Sequence, residues 1–257
     1  MNKDKKNIKE RNIFLEVEYV GTRYFGFQIQ DKNDRDEITV QQVLESALEK
    51  LFCKKIRIVY ASRTDRGVHA KSQGVNFKTD TFIPLKNIKE ALNSYLPEDV
   101  RIKRVKAATL DFHARFWAKS KIYRYIILNA QEPSVFWNDF SWYRASLLNL
   151  EYMRKASRQL LGKRDFGLFA KGARNYKNCR RELKSITIKK RNNRIYNDIE
   201  PDGFLRNMAR NIVSLLVKIG EGKIDSQSVF HILERKIPYT NKPAPACGLY
   251  LSKIKYH

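Results

Sequence analysis

The stretch Ile56-Arg57-Ile58-Val59-Tyr60-Ala61-Ser62-Arg63-Thr64-Asp65-Arg66-Gly67-Val68-His69-Ala70 is the one around which this 257-residue chain is organised. Its first five residues have the β-branched and aromatic content of a strand, and Gly67 gives the following turn a residue tolerant of positive φ. Asp65 is thereby placed on a loop at a strand end. Arginines stand two before it and one after it, so its carboxylate lies in a positive field that favours the ionised form. Two uses of such a group are open. It can be an Asx-turn that merely bonds nearby amides, or a standing anion at neutral pH with chemistry to perform.

Working outward, Ile13, Leu15, Val17 and Tyr19 alternate with polar neighbours as a half-buried strand does, and Gly21 ends the run. Residues 30–37 read as a charged loop. Thr39 offers an N-cap with Gln42 three residues on, and Val40, Val43, Leu44, Ala47, Leu48, Leu51 and Phe52 keep a 3.6-residue period. Beyond the Asp65 loop come a strand over 73–78, a helix over 84–96 opened by Pro84, and a strand over 100–105. The order is βαββαβ.

The second half repeats that order. Residues 121–128 read as a strand, and Leu150, Met153, Ser157, Leu160 and Leu161 mark a helix closed by Gly162. Ile186-Thr187-Ile188 and Ile195-Tyr196 flank Asn192-Asn193, the pattern of a hairpin. A helix over 204–219 with Gly220 as its stop, a short helix over 226–235 and a strand over 249–254 follow. The fold expected is α+β: two tandem ferredoxin-like halves whose sheets join into one mostly antiparallel platform, helices on one face and the other free. The halves are expected over 12–112 and 113–257, behind a basic N-terminal tail over 1–11.

The composition points to a folded chain with a polyanionic partner. Hydrophobic residues make up 42% and aromatic residues 12%, and 51 Lys and Arg stand against 27 Asp and Glu for a net charge of +24. No apolar run reaches the length of a spanning helix, so a membrane is not expected as partner. The three cysteines, Cys53, Cys179 and Cys247, are far apart and odd in number, which suits a reducing cytoplasm and neither a disulfide framework nor a zinc site. The first eleven residues lack the apolar core of a signal peptide.

Arg63-Thr64-Asp65-Arg66-Gly67-Val68-His69-Ala70 closely resembles the active-site loop of the TruA family of tRNA pseudouridine synthases. The family often has Gly at the position of Ser62 and a small residue at that of Arg66. Four further stretches carry the resemblance. They are Gly21-Thr22-Arg23-Tyr24-Phe25-Gly26-Phe27-Gln28, Asp111-Phe112-His113-Ala114-Arg115-Phe116 with Lys121-Ile122-Tyr123-Arg124-Tyr125, Gly203-Phe204-Leu205-Arg206-Asn207-Met208-Ala209-Arg210-Asn211, and Cys247-Gly248-Leu249-Tyr250-Leu251.

The resemblance implies a pseudouridine synthase fold and an isomerase that converts uridine to pseudouridine without cofactor or metal, at positions 38 to 40 of the tRNA anticodon stem-loop, as a homodimer. It implies Asp65 as nucleophile, Arg210 as its partner, Tyr123 stacked on the target base, Arg63 in the space the flipped base leaves, and Leu249 closing an apolar pocket. From the residues alone, a tyrosine placed as Tyr123 is more often core than catalytic, and Arg206 and Arg210, four apart on one helix face, read as a solvated or phosphate-facing stripe. His69 and His113 lack any metal-ligand spacing and read as structural. The same chemistry on ribosomal or other RNA, and a noncatalytic RNA-binding platform, are the competing functions.

Overall fold

A computed structural model describes residues 10–30, 37–240 and 242–256. The tail expected over 1–11 thus lies, through Lys9, outside the described residues, as does most of the charged loop over 30–37. Two compact units divide the chain: one runs through Ala118 and includes Tyr256, the other covers Lys119–Lys255.

The first unit follows the order β1 (Arg11–Tyr19), α1 (Val40–Phe52), β2 (Val59–Tyr60), β3 (His69–Thr79), α2 (Leu85–Tyr95) and β4 (Val100–Ala108). Its strands lie side by side as β4-β1-β3-β2, all antiparallel. Ile13, Leu15, Val17 and Tyr19 are buried on alternate positions of β1, which is the pleat acting on an alternating sequence. At α1 the expected capping box forms: the Thr39 hydroxyl accepts from the Gln42 amide at 3.3 Å, and the Gln42 side chain accepts from the Thr39 amide at 2.7 Å. The strand expected over 56–60 is shorter. Ile58 donates its amide to Glu45 Oε1 of α1 at 3.2 Å, so residues 56–58 leave the ladder while Ile56 and Ile58 stay buried.

The face of this sheet turned away from the buried β1 row was expected to be free, and part of it is covered. Asn12 donates to the carbonyls of Thr109 and Phe112 at 2.8 and 2.9 Å, and Asn76 accepts from the Ala114 amide at 2.8 Å. Phe14, Phe112, Trp117 and Tyr256 then meet edge to face, with centroids 5.3 to 5.7 Å apart. Gly74 makes room for them: a Cβ there would stand 2.1 Å from Tyr256 Oη.

The second unit runs β5 (Ser120–Asn129), β6 (Trp142–Arg144), α3 (Leu150–Gln159), β7 (Gly162–Asp165), β8 (Arg180–Arg191), β9 (Arg194–Pro201), α4 (Met208–Gly220), α5 (Val229–Leu233) and β10 (Leu249–Lys255). The strands that match the first unit, β10-β5-β9-β8, have the same spatial order, fourth, first, third, second. The βαββαβ pattern therefore recurs with the same topology. The hairpin turns at Asn192, whose φ is 52°. Short β6 pairs parallel with β5 and β7 extends the β8 edge; neither was visible in the sequence periodicity. Helix α4 begins at Met208, four residues later than expected, because Asn207 takes a left-handed φ of 64°.

Among the described residues no helix is long and apolar enough to cross a membrane.

Candidate active site

In the first unit the strand–loop–strand around Asp65 is held from three directions. A β-turn closes it, with the Val68 amide donating to the Asp65 carbonyl at 3.1 Å and Gly67 at φ 75°, the positive φ a type II turn needs at its third residue. From below, Gln73 donates to the Ser62 carbonyl at 2.6 Å and accepts from the Ser62 amide at 3.2 Å. At the side, the hydroxyls of Tyr19 and Thr64 share a hydrogen bond of 2.7 Å.

From above, residues 21–28 clasp the same loop. The Phe27 amide donates to the Thr64 carbonyl at 3.1 Å, and the Gly21 amide to His69 Nδ1 at 3.1 Å. Both glycines are required by close approach. A Cβ on Gly26 would lie 2.7 Å from the Thr64 carbonyl oxygen, and one on Gly21 would lie 2.0 Å from that of Val68. The Arg66 guanidinium sits 3.9 Å from the Phe25 ring centroid, a cation–π contact that gives this arginine a place on the loop's own support. Ser62 and Thr64 are buried, Asp65 is half-buried and Arg63 is exposed. His69 is buried as an acceptor, and His113 accepts from the amides of Arg115 and Phe116, capping a turn.

In the second unit Tyr123 stands in β5 opposite Leu251 of β10 and Ile199 of β9. It is 6% exposed, and its ring meets Phe204 edge-on at 4.6 Å. Tyr125, two residues on, is fully buried and donates its hydroxyl to the Pro245 carbonyl at 2.8 Å; burial pushes its phenol well above the ordinary range, with the Cys247 thiol adding to the shift. Leu249 is buried opposite Tyr125. Arg210 lies in the first turn of α4, where Nε donates to the Ala244 carbonyl at 2.6 Å. Arg206 does not share its helix face. It precedes the left-handed Asn207, and its amide donates to Tyr176 Oη at 3.0 Å while its carbonyl accepts from the Lys171 amide.

Asp65 and Arg63 thus share one loop of the first unit, and Tyr123, Leu249 and Arg210 belong to the second. Gln73 and Asp99 have no role in the sequence motifs, yet Gln73 holds the Ser62 backbone and Asp99 binds Arg23 and Tyr24 of the clasping segment. A polar residue in the middle of a strand, as Gln73 is, was the one available signal. Among the described residues no group of three or more His, Cys, Asp or Glu side chains is placed to hold a metal ion.

The sequence model described as tRNA pseudouridine synthase matches residues 16–117 and 156–257. The family match covers every motif-bearing stretch except Lys121–Tyr125, which falls between its two segments. The tRNA pseudouridine synthase A of Thermoanaerobacter sp. (strain X514) is 41% identical over 247 residues, 96% of this chain and all of that protein. The protein of that name from Acetivibrio thermocellus is 39% identical over 247 residues with the same coverage, and tRNA pseudouridine synthase A 2 of Clostridium perfringens is 39% identical over 250 residues, again 96% of this chain and all of the relative. With the matched segments covering the Asp65 loop, α4 and β10, the chain belongs to the tRNA pseudouridine synthase family.

Proposed function

We propose that this protein isomerises uridine to pseudouridine at positions 38 to 40 of the tRNA anticodon stem-loop, with Asp65 as the nucleophile. The observation that carries the reading is the way Arg63-Thr64-Asp65 is presented: buried groups hold the residues ahead of the carboxylate, Gln73 binding the Ser62 backbone and Tyr19 and Phe27 binding Thr64, while Asp65 itself keeps partial access to solvent. Such preorganisation is what a reacting group needs, since small misplacements cost large factors in rate.

The reaction breaks the N1 to C1′ glycosidic bond and forms a C5 to C1′ bond. The proton lost from C5 is balanced by one gained at N1, so no redox equivalent or group donor is consumed. A uridine inside a stem hides both reacting atoms, so the nucleotide must first leave its stack. In this reading Arg63, exposed and two residues from the carboxylate, fills the vacated space, Tyr123 provides the ring on which the uracil rests, Leu249 contributes apolar wall, and Arg210 pairs with Asp65. The net charge of +24 supports a phosphate-tracking surface. Action in the cytoplasm as a homodimer goes with this reading.

The test is pseudouridine formation in unmodified tRNA transcripts. Wild-type protein is expected to modify the 3′ side of the anticodon stem-loop, and Asp65→Asn to be inactive while binding tRNA within about threefold of wild type, because affinity comes mainly from phosphate contacts. Turnover by Asp65→Asn, or modification of ribosomal transcripts alone, would refute it.

A further inference from the structure

The Asp99 carboxylate sits at the entry to β4 and gathers two residues of the Gly21–Gln28 turn, Arg23 and Tyr24. Tyr24 Oη donates to Oδ1 at 2.6 Å, and Arg23 donates to Oδ2 through Nε at 2.9 Å and Nη2 at 2.7 Å. The Asp99 carbonyl adds a fourth tie, accepting from the Val20 amide at 2.9 Å. The carboxylate is only 13% exposed, whereas Arg23 is 73% exposed and Tyr24 is buried. A side chain that must accept three hydrogen bonds and donate none is suited to an ionised Asp and poorly to Asn.

This turn is the one that clasps the Asp65 loop. One end, at Gly21, bonds His69 and packs on Val68; the other, at Gly26 and Phe27, bonds and packs on Thr64. The Gly26 and Phe27 carbonyls are themselves bound by the Val40 and Gln41 amides at the start of α1. Helix α1 therefore fixes the far end of the turn, and Asp99 fixes the near end against β4, a strand paired along its length with β1. We propose that Asp99 is a positioning residue for the pseudouridine synthase reaction: through Tyr24 and Arg23 it sets the Gly21–Gln28 turn, and through that turn the Thr64–His69 backbone that carries Asp65. The proposal rests on the reading of Asp65 as the nucleophile.

The ion pair to exposed Arg23 contributes little to stability, but losing Asp99 also takes the acceptor from the buried Tyr24 hydroxyl, so rate and melting are followed side by side and the rate at a temperature where the variant is folded decides. Single-turnover pseudouridine formation at saturating protein, tRNA affinity by filter binding and thermal melting are compared for Asp99→Ala, Asp99→Asn, Tyr24→Phe and the Asp99→Ala/Tyr24→Phe pair. Asp99→Ala is expected to slow the single-turnover step about tenfold or more, a fraction of the about hundredfold that an ångström's misplacement can cost. Its tRNA affinity stays within about threefold, since phosphate contacts dominate binding. Asp99→Asn, which keeps an acceptor for Tyr24, falls between. The pair should be no slower than Asp99→Ala beyond about twofold, because both changes cut the same bond.

A lowered melting temperature with a wild-type rate in the folded range would make Asp99 merely structural and overturn the proposal. Should Asp99→Ala fail to fold, Tyr24→Phe decides alone: a slowed step at unchanged affinity supports the positioning role, and a wild-type rate overturns it. Asp65→Asn run alongside separates the two levels. If it turns over, the nucleophile reading falls; if it is inactive while Asp99→Ala runs at full speed, only the positioning role falls.

Discussion

Gln73 grips Ser62 by both of its backbone groups, donating from Nε2 to the carbonyl at 2.6 Å and accepting at Oε1 from the amide at 3.2 Å, with both residues buried. The side-chain amide thus substitutes for a ladder partner at the point where the chain leaves β2 for the Asp65 loop. Gln73→Ala leaves a buried N–H and C=O of Ser62 without this partner. Each such group costs about 1 to 3 kcal/mol, so a loss of about 2 to 6 kcal/mol is expected in urea unfolding, with a slower single-turnover step in the folded protein. A stability within 0.5 kcal/mol of wild type, roughly the scale of ordinary surface substitutions, would show that the grip is not required.

Tyr123 is the residue whose structural role and proposed chemical role are most entangled. Because its ring is buried against Phe204, Tyr123→Ala opens a cavity and should destabilise the fold by about 3 to 5 kcal/mol, which confounds any reading of its rate. Tyr123→Phe keeps the ring and removes only the hydroxyl. It is expected to bind tRNA within about twofold of wild type, because stacking needs only the ring, and to turn over about tenfold or more slowly if the hydroxyl handles a proton. An unchanged rate would reduce Tyr123 to a stacking surface.

A pH-dependent contribution to stability is built at Glu200. Burial pushes its carboxyl up, but hydrogen bonds from the Lys255 ammonium at 2.8 Å and the Ser120 hydroxyl at 2.6 Å outweigh it and hold the group below the ordinary carboxylate range. A carboxyl depressed on folding adds stability that is present above its unfolded pKa and lost as pH falls through the folded value. Lys255 is 40% exposed, so solvent screening limits the contribution to about 1 kcal/mol. Wild type should exceed Glu200→Gln by that amount at pH 7, and the gap should close as pH drops below the carboxylate range. A gap independent of pH would locate the effect in packing.

The fold was legible wherever one residue's neighbours decide its state. The Thr39–Gln42 cap, the alternating β1 and the Asn192 hairpin turn are local, and the structure repeats the βαββαβ order that they predict in both units. What remained hidden depends on partners distant in sequence. Nothing near Ile58 announces that Glu45 will take its amide, and nothing near Phe112 announces that Asn12 and Asn76 will hold it over the sheet. Gly248 is a similar case: a Cβ there would stand 2.6 Å from Tyr125 Cζ, a constraint set by a residue over a hundred positions away. At the candidate site the motif identified Asp65 and its neighbours, whereas Asp99 and Gln73 become visible only through the bonds they make.

The last prediction concerns salt. With 51 cationic against 27 anionic side chains, the protein should neutralise several tRNA phosphates on binding, and each releases counterions with a log-log slope of about −0.7 to −0.9. Affinity for tRNA should therefore fall steeply, by orders of magnitude, between about 50 and 200 mM salt for six or more contacts. The chemical step should behave differently. The Asp65 loop is positioned by Gln73, Tyr19 and Thr64, all buried, and mobile ions screen buried interactions weakly. Single-turnover rates measured with protein high enough to keep all tRNA bound should thus vary less than about threefold over the same salt range, since only exposed charges feel that screening. The two measurements separate the surface from the site. A flat binding curve would contradict the phosphate-tracking surface, and a bound-state rate that collapsed in parallel with affinity would show that exposed charges, rather than the buried loop contacts, position the reacting groups.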